Sequence, residues 1–371
     1  MGLALGIGAW CLVMVSCAPL ISGGSQAVSV EPSVDPISNT LTASISDIPQ
    51  ISPEDRIAFA ARRQGAVSGF QEDLPSDTLA VPISLGDETG PRRTEFILEN
   101  EQENIQTFLD LKGITVGSVR QTGIVPAVFF QALPWNLEPM TDIQARKDIY
   151  LAILLPLVLD VNREIEAERA LLLNSAFRGS INQVTDPAIR ELAAKYYELD
   201  GSVQSLLNKV APLPVDMVLA QSIEESGWGT SRFVLKGHAL FGQRVFSDEA
   251  HGFIPRQREE GLEFKVQGFD SLKDSIAIYA LNLNRHRSYE TMRQTRAALM
   301  ASSKPVTGKD LMPHLQAYST ERSKYINKVK RLIDHNKLSD FNTAKLETHR
   351  ALDVIFTQSY FDKLDELAQA Q

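Results

Sequence analysis

The stretch from Pro212 to Phe233 reads Pro-Leu-Pro-Val-Asp-Met-Val-Leu-Ala-Gln-Ser-Ile-Glu-Glu-Ser-Gly-Trp-Gly-Thr-Ser-Arg-Phe. Apolar residues at Val215, Val218, Leu219 and Ile223 have the spacing of a helix that buries one stripe. Pro212 and Pro214 fix the chain's approach to that helix. Gly227 permits a left-handed stop, and Gly229 permits close approach of backbone or ligand. On a wheel of about 3.6 residues per turn, Glu224 projects away from the stripe and Glu225 falls at its edge. A carboxyl at that edge is partly desolvated, which raises its pKa and suits a general acid near neutral pH. Trp228 offers an apolar wall or a platform for a sugar ring. A Glu before a Gly at a helix end is more often merely solvated, so Glu-Ser-Gly by itself carries little weight.

Working outward, the chain has 371 residues and a formal net charge of -9, with a pI near 5.3. That balance argues against a nucleic-acid partner, which calls for a basic face. The two cysteines, Cys11 and Cys17, both lie in or beside an N-terminal apolar run from Leu3 to Val15. The run is too short to span a bilayer and has the length of a signal-peptide core. Met14-Val15-Ser16-Cys17-Ala18 resembles a bacterial lipobox. Residues 1–17 are therefore expected to be a lipoprotein-type signal, with Cys17 acylated and the protein exported to the periplasm and anchored at the outer membrane. Plain secretion is the rival, since no Lys or Arg precedes the run.

Residues 18–92 are expected to be a disordered tether. From Ala18 to Pro91 there is no Lys, Trp, Tyr or Met, and such a composition cannot offset the entropy of ordering. A short helix is expected after Ser52-Pro53. Residues 93–205 read as a helical section. In it, Glu99–Lys112 forms a helix, and Ala127–Pro134 an apolar helix or turn. A long helix opens at Thr141-Asp142, and Pro156 is expected to kink it. Residues 206–345 form the domain built on the central helix. Alternation at Phe264–Phe269 predicts a small β-hairpin lobe, and Thr320 is a candidate cap for the helix at Ser323. Residues 346–371 read as a C-terminal helical extension.

The central run, continued by Ala239-Leu240-Phe241-Gly242-Gln243, resembles the glucosaminidase domain of glycoside hydrolase family 73, described as mannosyl-glycoprotein endo-β-N-acetylglucosaminidase-like, and within it the Bax-type proteins. Ordered segments such as Val125–Phe129, Ile254-Pro255-Arg256 and Tyr318-Ser319-Thr320 extend the resemblance over roughly residues 96–346. It implies an α+β, mostly helical, lysozyme-like domain acting on peptidoglycan glycan strands at the β-1,4 link from N-acetylglucosamine to N-acetylmuramic acid. By position, Glu225 matches the family's catalytic acid and Glu224 does not. The partner group is open. Glu259, Glu260 and Glu263 are candidates for a second carboxylate, with a solvated hairpin tip before Gly261 as the bland reading of Glu259 and Glu260. The substrate's own 2-acetamido group is the other option.

Tyr318 matches a family aromatic lining the site. Trp228, Phe241, Gln243 and Asn284 are weaker substrate-binding candidates, each with an equal reading as core or loop. No cofactor and no metal is implied: the six histidines show no zinc-ligand spacing. A lytic transglycosylase and a non-catalytic wall-binding lipoprotein are the competing functions. Acylation is tested by growing bacteria that express the chain with an alkyne-tagged fatty acid. The parent protein takes up label and Cys17→Ala does not; an unlabelled, soluble parent favours plain secretion.

Overall fold

A computed structural model describes residues 92–98, 105–134, 137, 140–175, 177–245, 252–254, 264–348 and 350–356. The signal segment, Cys17, the tether and the helix expected after Ser52 lie outside the described residues, as do Glu259, Glu260 and Glu263. In chain order the elements are β1 (Arg92–Leu98), α1 (Ile105–Leu111), α2 (Val116–Thr122), β2 (Ile124–Val125), β3 (Val128–Phe130), α3 (Ile143–Asn174), α4 (Pro187–Lys195), α5 (Val203–Lys209), α6 (Val215–Ser226) and α7 (Arg232–Gly237). There follow β4 (Arg244–Val245), β5 (Gly252–Phe253), β6 (Lys265–Gln267), α8 (Leu272–Arg285), α9 (Glu290–Ala301), α10 (Gly308–Leu311), α11 (Ser323–His335), β7 (Lys345–Leu346) and β8 (Arg350–Phe356). The architecture is α+β and mostly helical, with small sheets.

Local chemistry sets most helix starts. The Asp142 carboxylate accepts from the amides of Gln144 and Ala145 and opens α3. Asp186 caps α4 with Pro187 at its first position, and Ser202 and Ser205 form a reciprocal cap on α5. Ser271 accepts from the amide of Asp274 at the head of α8. α3 runs through Pro156 as one helix of 32 residues, with every residue from Ile149 to Val158 buried. No helix among the described residues is long and apolar enough to cross a membrane.

The sheets differ from the sequence reading. β1, β8 and β3 form a parallel three-stranded sheet in that order, and β2 pairs with β7 in parallel. The C-terminal segment is therefore strand, not a helical extension, up to Phe356. Its register joins Arg92 to Arg350 and Val128 to Leu352. Residues 93–205 are not wholly helical, because they supply β1, β2 and β3. A boundary at 345 cuts through a strand, since β7 starts at Lys345. Val116–Thr122 is a helix capped by Thr115 and stopped by Gly123 at φ 69°. The expected hairpin lobe is present as an antiparallel sheet in the order β4-β6-β5. Thr320 does not cap α11; Arg322 occupies that position with φ 47°.

The segment leading into α6 is clamped by buried polar side chains. Asn162 donates to the Leu213 carbonyl at 2.8 Å and accepts from the Leu213 amide at 3.0 Å. Arg169 donates to the carbonyl of Val210 at 2.8 Å. Arg296 is buried and donates to the carbonyls of Asn208, Lys209, Ala211 and Pro212 and to Asn284 Oδ1. Burial without a carboxylate partner pushes its guanidinium down to about 9. These bonds satisfy carbonyls at the C-terminus of α5 that no helical amide can reach. Arg296→Met strips them of their donors and is expected to lower stability by about 2 kcal/mol or more. Denaturant unfolding checks this against Arg331→Met, an exposed site, where little change is expected.

Candidate active site

α6 is twelve residues long, and all but Glu224 and Glu225 are buried. The single buried stripe expected from the sequence is thus too narrow: α3, α10 and α11 all pack on α6. Its buried polar groups are each matched. Asp216 accepts from the amide of Gly308 at 2.8 Å and from the Ser339 hydroxyl at 2.9 Å. Ser226 Oγ and the Tyr150 hydroxyl lie 2.9 Å apart, and the Gly229 amide donates to Ser226 Oγ at 3.0 Å. The helix stops at Gly227, φ 60°, followed by Trp228 at φ 61° and Gly229 at φ 77°. A Cβ on Gly229 would lie 2.5 Å from Leu133 Cδ1 and 3.0 Å from Tyr150 Cδ2. Gly229 is therefore favoured both by its backbone angle and by the closeness of Leu133 and of Tyr150 on α3.

Glu225 is open to solvent on one side and enclosed by protein on the others. Burial pushes its carboxyl up to about 7. The Tyr325 hydroxyl opposes that rise; the charge of Glu224 adds to it, Lys328 opposes it and Glu321 adds to it. The negative end of the α6 dipole acts in the same direction as burial. A Cβ on Gly242, φ 60°, would stand 3.8 Å from Glu225 Oε2, so the Phe241-Gly242-Gln243 turn passes over the carboxyl. Glu224 faces another neighbour: Lys328 lies 3.4 Å from it and 2.7 Å from Glu321.

Aromatic rings surround the carboxyl. Phe241 stacks on Tyr279 with centroids 3.9 Å apart, Tyr279 meets Tyr318 edge-on at 6.3 Å, and Tyr318 stacks on Tyr325 at 5.4 Å. Burial holds the hydroxyls of Tyr279, Tyr318 and Tyr325 well above their ordinary range, so they stay protonated. Inside this ring the Tyr279 hydroxyl donates to Gln221 Oε1 at 2.6 Å, and Gln221 Nε2 donates to the Tyr325 oxygen at 2.9 Å.

The structure thus gathers Glu225, Phe241 and Tyr318. Trp228 packs edge-on to Tyr150 at 5.7 Å with the Lys147 ammonium 5.0 Å over its ring. Phe241 is buried and presents one face to Tyr279. Asn284 leaves the candidate site altogether. It is fully buried, donates to the Ala211 carbonyl at 3.1 Å and accepts from Arg296 at 2.7 Å, so its amide serves the core. Gln243 is buried with neither amide atom partnered among the described residues, and the same holds for Gln267 Oε1 on the neighbouring strand. Sequence reasoning missed Gln221 and Tyr325. Gln221 stands one turn before Glu225, a helical spacing that could have flagged it. Tyr325 arrives from α11, about a hundred residues on, with no local signal.

Residues 202–338 match the family model described as "Mannosyl-glycoprotein endo-beta-N-acetylglucosaminidase". The chain is also 29% identical over 191 residues to "Protein bax" of Escherichia coli strain K12, covering 49% of this chain and 66% of that relative, a little under two thirds of its length. No solved structure matches it. The chain therefore carries a glucosaminidase domain, of a glycosidase family, and is distantly homologous to Protein bax.

Because burial pushes the folded carboxyl up to about 7 from its ordinary 4.5, the folded state holds this proton more tightly than the unfolded chain. Stability from this group is then full below about 4.5 and is lost as pH rises toward 7. Carbon-13 titration of labelled glutamates is expected to show one carboxyl near 7 that disappears in Glu225→Gln, with a flatter pH–stability slope in the variant.

Proposed function

We propose that the protein is an endo-β-N-acetylglucosaminidase that hydrolyses the β-1,4 bond between N-acetylglucosamine and N-acetylmuramic acid in peptidoglycan, with Glu225 as the general acid on a lysozyme-like domain. The observation that carries this is a solvent-open carboxyl at the end of a buried helix, pushed up to about 7 by desolvation, inside a segment that matches a glucosaminidase family. Glu225 gives its proton to the glycosidic oxygen, and the C1–O bond breaks with its electron pair leaving on that oxygen. A water oxygen ends on C1, and the water's proton restores the acid. Attack on C1 comes either from water activated by a carboxylate or from the sugar's 2-acetamido carbonyl.

The aromatic wall formed by Phe241, Tyr279, Tyr318 and Tyr325 keeps bulk water from the inner side of Glu225. Tyr318, half-buried at its rim, is the binding aromatic of this reading. Gln243, next to Gly242 and with an unpartnered amide among the described residues, has the donor and acceptor that an acetamido group matches. Glu224 and Glu321 are tied to Lys328, which makes them neighbours of the acid rather than rivals to it. Export to the periplasm, with an outer-membrane anchor at Cys17, completes the proposal by placing the enzyme beside its substrate.

Digestion of purified peptidoglycan by the full chain in detergent tests it, with borohydride reduction and mass spectrometry of the fragments. Reduced N-acetylglucosamine ends are expected from the parent, and roughly 10²–10⁴-fold less from Glu225→Gln. Anhydro-muramyl ends would assign it to the transglycosylases. Sedimentation of both proteins with the wall and no fragments from either would make it a wall-binding protein.

A further inference from the structure

The two tyrosines and the amide beside Glu225 form a chain with only one workable direction. Tyr279 has a single hydroxyl proton, and it goes to Gln221 Oε1 at 2.6 Å. Gln221 Nε2 then faces the Tyr325 oxygen at 2.9 Å and donates to it. With its oxygen accepting, Tyr325 keeps its proton turned toward the carboxyl of Glu225, whose ionised form it favours. If the amide were turned over, Tyr325 would donate to the amide oxygen instead and would meet the carboxylate with a lone pair, which repels it. An accepted hydrogen bond also makes a hydroxyl a stronger donor.

We propose that Gln221 is a positioning residue for the glycosidic reaction, which acts through Tyr325 to fix where the proton of Glu225 resides. A carboxyl oxygen that accepts from Tyr325 is the poorer place for the acidic proton. The proton is therefore held on the other oxygen, ready for transfer, and the same bond keeps the carboxylate stable after transfer. Phe241 stacks on Tyr279 at 3.9 Å with an interplanar angle of 11°. The loop that passes over Glu225 is thereby packed against the first member of the chain. α6, α8 and α11 each contribute one partner, so their relative placement sets the acid's geometry. This inference rests on Glu225 being the acid.

Among the described residues, the remaining charged groups near Glu225 are Glu224 on α6, Glu321 on the loop before α11, and Lys328 on α11; Tyr318 is the other ionisable ring. None of them is altered in the test. The carboxyl of Glu225 is titrated by carbon-13 resonance in the full chain carrying Tyr325→Phe, Gln221→Met, or both. Tyr325→Phe removes a bond to the ionised form and is expected to move the titration upward by about one pH unit. Gln221→Met is expected to move it upward by part of that amount, and by nothing further once Tyr325 is Phe. A Gln221 shift that persists in full in the Tyr325→Phe background overturns the proposal, as does the absence of a shift in Gln221→Met.

Should Gln221→Met fail to fold, Tyr279→Phe removes one oxygen at the far end of the chain. The same upward shift, again abolished by Tyr325→Phe, is expected of it. Glycan cleavage is measured separately, where Gln221→Met should lower kcat several-fold with KM nearly unchanged. The titration needs no turnover. An inactive parent with the coupling intact would thus sink the assigned reaction and leave the relay standing.

Discussion

Desolvation of a single carboxyl at the end of a buried helix is the constraint around which this structure is arranged. α6 is enclosed on every side except where Glu224 and Glu225 emerge. Enclosure on that scale is costly for a helix with Asp216, Gln221, Ser222 and Ser226 among its buried residues, because a buried polar group without a partner loses its hydration for nothing. The fold answers with a matched partner for each: Gly308 and Ser339 for Asp216, Tyr279 and Tyr325 for Gln221, the Leu219 carbonyl for Ser222, Tyr150 and Gly229 for Ser226. Glu225 is the group left only partly compensated, and its raised pKa records that.

The approach and exit of α6 are fixed by two different means. Before it, Asn162, Arg169 and Arg296 hold the carbonyls and an amide of residues 207–213 from three directions. After it, three successive residues with positive φ turn the chain so that Gly229 lies against Leu133 and Tyr150. A helix pinned at both ends gives its last turn little freedom. That is the condition for a carboxyl whose hydrogen bonds must be met within a few tenths of an ångström. The Phe241-Gly242-Gln243 turn then closes over it, and a Cβ at 242 would touch Glu225 Oε2 at 3.8 Å.

Much of this was legible in the sequence because it is local. The opening of α3 at Thr141-Asp142 was visible as a residue type next to apolar periodicity, as were the stop at Gly227 and the partial burial of Glu225. The parallel sheet was not. Its strands β1 and β8 lie about 250 residues apart, and no short-range pattern encodes which distant strand a segment will join. In β8, buried Ala351, Val354 and Phe356 stand within a stretch rich in β-formers, but the residues after them favoured a helical reading of the whole tail. The Gln221 relay needed three helices to meet. Asn284 looked like a site residue from its place in a familiar run, and only the position of Arg296 shows that its amide belongs to the core.

The pH dependence of kcat/KM on purified glycan strands puts the central claim to its most direct test. If proton donation by the desolvated Glu225 drives cleavage, the rate falls on the alkaline side with a midpoint at the pH where that carboxyl titrates, near 7. A rate that stays level or keeps rising through that range would show that another group supplies the proton, and would contradict Glu225 as the general acid.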